Sequence, residues 1–139
     1  MTLKPSRTHF AVKDLNPKMA VAVSKMIGLT TALIFDIGGQ RACFQPFEGF
    51  RNPERQNYLL TVSKTTKAGP WESAHQYGLA VDFACRVIND NGSLGEWCWP
   101  VEAPWDELRR LARSVGLDIP ISWDKGHVQS PIWDQITLS

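Results

Sequence analysis

The chain has 139 residues, enough for one domain with a proper core and too few for two comfortable ones. A 43% hydrophobic and 21% charged composition is that of a globular protein. With a net charge of +1 and Lys and Arg scattered along the chain, the basic stripe of a nucleic-acid binder is missing, as is the charge that would hold a protein on a membrane surface.

The N-terminal arm is basic (Lys4, Arg7) but lacks the apolar segment and cleavage site of a secretory signal. The protein is therefore expected to be made in the cytoplasm and to need release by another agent before it meets a target outside. Asn16 and Pro17 predict a helix start, with Asn as cap and Pro at the first helical position. Met19, Val21, Val23, Met26 and Ile27 supply its apolar face, and Gly28 is expected to end it. Met19 to Phe35 is the most apolar stretch, but Lys25, Gly28 and two threonines make it too short and polar to span a bilayer.

Thr30 to Ile37 and Arg41 to Phe50 read as two strands of a hairpin turning at Gly38-Gly39. Pro53 to Val62 reads as a second helix capped by Asn52, and Ser63 to Ser73 as an ordered loop. Leu79 to Ile88 reads as a strand and Asn89 to Gly95 as a turn. Pro104 opens a third helix, whose stripe Leu108, Leu111, Ala112, Val115 ends at Gly116. Ile119 to Ser122 and Val128 to Ile132 are short strand candidates. The order predicts an α+β fold, a mainly antiparallel sheet packed with about three helices, as one domain over residues 1–139.

Three cysteines (Cys43, Cys85, Cys98) without a Cys-x-x-Cys pair argue against a disulfide framework and a thiolate zinc site, and predict buried thiols. Of the six tryptophans, Trp71 and Trp123 flank the chemically informative segments, while Trp97, Trp99, Trp105 and Trp133 are expected in the core. His9, in the basic arm, is read as a solvated bystander.

Three segments carry chemistry. In Ser73-Ala-His-Gln-Tyr-Gly-Leu-Ala-Val-Asp82, the strand alternation points Val81, Phe83, Cys85 and Val87 to the core and Asp82 to the other face. Ala80 and Ala84 flank Asp82 and are small enough to leave room above the sheet, and Gly78 lets His75 lean toward it. In Trp123-Asp124-Lys-Gly-His127, a tight turn brings Asp124 and His127 to one side. A catalytic zinc takes three His or carboxylate ligands and keeps a fourth position open, and His75, Asp82 and His127 provide such a set. Asp124 would stand beside them as a base for the attacking water. Taken alone, the segment favours the plainer reading, in which Asp124 caps the turn and His127 is a satisfied, partly buried histidine. Arg51, leaving a strand just before a helix start, can stabilise an oxyanion or grip a carboxylate, or it can simply pair with Glu48 or Glu54.

In this order and spacing the segments resemble the D-alanyl-D-alanine carboxypeptidase and L-alanyl-D-glutamate peptidase family, zinc enzymes that share a fold with the hedgehog signalling domain. The matching elements are Gly49 to Gln56, Ser73 to Asp82 and Asp124 to His127. The resemblance implies Zn2+ on His75, Asp82 and His127, Asp124 as general base, Arg51 on the scissile carbonyl or the substrate, and Ser73 and Gln56 near the bound peptide. It further implies a monomeric hydrolase of peptidoglycan stem peptides, resembling a bacteriophage endolysin. The alternative is a non-catalytic zinc-containing module on the same scaffold, binding the wall or building a virion.

Overall fold

The computed structural model describes residues 10–50, 61, 74–120 and 124–131. Helix α1, Pro17–Ala32, begins where the sequence predicts: the Asn16 side chain accepts the Lys18 N–H at 3.1 Å and Pro17 takes the first position. It does not stop at Gly28. A mid-helix glycine costs only about 1 kcal/mol, and the buried face Met19, Val23, Met26, Thr30 runs past it. The hydroxyls of Thr30 and Thr31 both donate to the Ile27 carbonyl, so the expected strand begins as the last helical turn. What remains is the short strand β1, Phe35–Ile37.

Gly38 and Gly39, both at positive φ, form the two-residue turn that leads into β2, Gln40–Glu48. Strand β3, Ala80–Ile88, pairs with β2 on one side. On its other side it pairs with β4, Leu94–Cys98, and with β5, His127–Gln129. Every pairing among these strands is antiparallel, and the sheet order is β1-β2-β3-β4 with β5 against the start of β3.

β4 was not predicted. It starts inside the expected turn, because Asn91 accepts both the N–H and the hydroxyl of Ser93 and closes the reversal early. Helix α2 is Trp105–Ser114, with Leu108, Leu111 and Ala112 buried. Of the predicted helix 53–62, Thr61 is helical and the rest lies outside the described residues. Ile119 and Pro120 are not strand; the neighbouring Asp118 makes an isolated bridge to Gln129.

Among the described residues, the core lies between the sheet and helices α1 and α2. Val81, Phe83 and Cys85 of β3 meet Met19, Val23 and Met26 of α1 and Leu108 and Ala112 of α2. Phe44 is packed between Phe35 and Trp105 in tilted pairs, with ring centroids 5.0 and 5.1 Å away. Burying a side chain of this size contributes about 1.5–3 kcal/mol. Trp105 is in the core as expected, its indole N–H donating to the Pro100 carbonyl at 2.8 Å. Trp97 and Trp99 are not: Trp97 is half-buried and Trp99 is 56% exposed. Both belong to the opposite face of the sheet, since Trp97 is in register with Arg86. Cys43 and Cys85 are buried and Cys98 is partly so, all as free thiols. Burial, with the neighbouring Cys98 and Cys43, pushes the Cys85 thiol up to about 12. No helix among the described residues is long and apolar enough to cross a membrane.

Candidate metal centre

The side chains of His75, Asp82 and His127 meet on the sheet face away from the helices. One ligand atom from each lies within 4.8 Å of the other two. Three elements bring them there. His75 sits on the short 3-10 turn Ala74–Tyr77, after which Gly78 bends the chain (φ +67°) and its carbonyl accepts the Asn16 N–H. Asp82 is the third residue of β3. His127 opens β5 in direct register with Asp82, held by the bond from the Phe83 N–H to the Gly126 carbonyl at 2.7 Å.

Each imidazole is oriented from behind. His75 Nδ1–H donates to the Gly49 carbonyl at 2.8 Å. His127 Nε2–H donates to Gln129 Oε1 at 2.8 Å. Their other nitrogens, His75 Nε2 and His127 Nδ1, lie 3.2 and 3.1 Å from the same oxygen, Asp82 Oδ1. When both rings are neutral, two nitrogen lone pairs therefore face a carboxylate oxygen, an arrangement of acceptors that asks for a cation. Ligands 2.0–2.1 Å from a tetrahedral zinc stand about 3.3 Å apart, close to the spacings found here. The donor set, its geometry and the tied outer nitrogens all fit a divalent metal.

Electrostatics agree with that reading. Burial alone would raise the Asp82 pKa, but the charge and hydrogen bonds of His75 and His127 outweigh it and hold the carboxyl well below its usual range. For His127, burial works against the imidazolium; the Asp82 carboxylate, the Gln129 oxygen and the charge of Asp124 prevail and raise its pKa. Asp124 stands outside the three-ligand group and is exposed. Its carbonyl accepts the His127 N–H at 3.2 Å, which is the tight turn expected from the spacing.

Beside Asp82, whose side chain is 24% exposed, the strand carries the two small side chains expected. Ala80 and Ala84 are themselves fully buried. Arg51, Gln56, Ser73, Trp71 and Trp123 lie outside the described residues. Three contributors escaped the sequence reading. Gln129 shares a strand face with His127, so the period of two held a signal for it. Glu48 is buried and in register with Asp82. The Gly49 carbonyl, a backbone atom 26 residues from His75, has no sequence signal.

What fold and site together define is a small α+β protein with a His-Asp-His group at one end of its central strand. No family model matches the chain, and no curated protein does. Among solved structures it is similar to the Serratia marcescens L-Ala D-Glu endopeptidase ChiX, with a TM-score of 0.52 at 20% identity, covering 89% of this chain and 86% of that one. At this identity the likeness is one of fold.

Proposed function

We propose that this protein is a zinc-dependent peptidase of peptidoglycan stem peptides, a single peptidase domain over residues 1–139. The observation that carries the reading is the convergence of His75 Nε2, His127 Nδ1 and Asp82 Oδ1 with both outer nitrogens already engaged. The fold shared with an L-Ala D-Glu endopeptidase supports the substrate class. Bound zinc would supply a Lewis acid for the scissile carbonyl and a water acidic near neutral pH.

The remaining chemistry falls to side chains. Asp124, exposed and electrostatically coupled to His127, accepts the proton of the attacking water and returns it to the leaving amine. Arg51 holds the charge that develops on the carbonyl oxygen, and Ser73 and Gln56 bind the peptide; these three roles rest on the sequence resemblance. In this reading the protein works as a monomer that lyses the wall as an endolysin does, after release from the cytoplasm.

Asp124→Ala tests the proposal against a purely structural zinc site. The variant is expected to keep about one zinc per chain and to lose peptide hydrolysis by roughly 10²–10⁴-fold, read by metal analysis and by mass spectrometry of digested peptidoglycan. Undiminished hydrolysis removes Asp124 from the mechanism, and a wild-type enzyme indifferent to chelators ends the metal reading.

A further inference from the structure

Asp82 shares its face of β3 with Ala84 and Arg86, and beyond the metal group this face carries an aromatic cluster. Phe47, at the irregularity between Pro46 and Glu48 in β2, meets Trp97 of β4 edge-on at 5.0 Å. It meets Trp99, just after β4, edge-on at 5.1 Å. β2 and β4 flank β3, so the three rings join hands across it, and the β3 residue between them is the buried Ala84. Arg86 lies over the Trp97 ring, 4.9 Å from its centroid, and is anchored by bonds to the Gly95 and Leu94 carbonyls at 3.0 and 3.3 Å. Trp97 is thus packed beneath Arg86 and against Phe47. Trp99, held at its edge by Phe47, keeps 56% of its surface in water.

A large flat ring braced from one side and open on the other is a stacking platform. A pyranose suits such a platform, because its C–H face lies flat on an indole.

Position narrows the ligand further. The register Cys85↔Cys98 sets Trp99 level with Ala84, two residues along the strand from Asp82 and one strand over. That separation is roughly 8 Å. In peptidoglycan the first stem residue is joined through a lactyl ether to an amino-sugar ring, so its carbonyl lies about two residue lengths, roughly 7 Å, from the sugar. Resting on the peptidase reading above, we infer that Trp99, braced by Phe47, is a glycan subsite. It stacks on the amino sugar that bears the stem peptide, so that the favoured substrate is a glycan-linked peptide cut after its first residue.

The test compares zinc-loaded protein on a disaccharide-linked stem peptide and on the same peptide without sugar. The wild type should prefer the linked substrate by about tenfold in kcat/KM. Trp99→Ala should bring the ratio near one, and Trp99→Phe should keep part of it. A wild-type ratio near one, or an equal loss on both substrates in Trp99→Ala, overturns the inference. A second measurement does not depend on catalysis: an N-acetylglucosamine tetramer should shift the Trp99 indole N–H resonance saturably in the wild type. If the sugar binds and neither peptide is cut, the peptidase reading fails and the subsite stands; if free peptide is cut and no sugar binds, the reverse holds.

Discussion

The two faces of β3 are made of alternate residues of one strand, and they obey different rules. Val81, Phe83 and Cys85 face α1 and α2, where what matters is volume and apolarity. Asp82, Ala84 and Arg86 face the other way, where each side chain answers to a particular atom: an imidazole nitrogen, an aromatic roof, a backbone carbonyl. The core face tolerates substitutions that conserve volume. The site face depends on donor and acceptor geometry, which no substitution of similar size restores.

The sharpest way to break this contrast is to change neighbours on the same strand. Asp82→Ala is expected to reduce zinc content from about one ion per chain to a trace and to abolish hydrolysis, since two imidazoles alone do not complete the site. Phe83→Ala, one residue on, should cost about 3–5 kcal/mol of stability, seen in denaturant unfolding, while the folded fraction keeps its zinc. If both variants fail in the same assay and by the same amount, the two faces are not independent.

Gln129→Ala probes the support behind a ligand. Losing the acceptor for His127 Nε2–H should weaken zinc binding by about 10–100-fold, measured by competition with a chromophoric chelator, with the fold intact. Unchanged affinity would mean that the His127 ring is oriented by Asp82 alone.

The smallest effect expected is in pH dependence. In metal-stripped protein, the raised pKa of His127 lies above its ordinary 6.5. The stability its imidazolium contributes by pairing with Asp82 is therefore complete below pH 6.5 and is lost as pH rises through the folded-state value. Zinc needs the neutral ring, so its contribution grows over the same interval. The difference in Tm between loaded and stripped protein should widen from about pH 6 to pH 8.5. A stripped protein that gains stability across that range contradicts the pairing.

Local chemistry explains what could be read in advance. Asn16-Pro17 starts a helix by capping, Gly38-Gly39 turns a hairpin, and the alternation after Gly78 separates the core residues of β3 from Asp82. The errors arose where distant packing outweighed local preference. Gly28 sits inside α1 because a buried face on either side of it holds the helix together. Trp97 and Trp99 look like core residues by composition, and it is the pairing of β4 with β3 that turns them to the other face.

As candidate ligands, His75, Asp82 and His127 were identifiable from residue type, order and spacing, because metal chemistry admits few donors and turns and strands have short periods. Their meeting was not. Asp82 and His127 are 45 residues apart, and only the pairing of β5 with β3 puts them in register. The same folding supplied the Gly49 carbonyl and aligned Phe47 with Trp99 across the sheet. Residue identity is a local property, whereas proximity between distant segments exists only once the strands have paired.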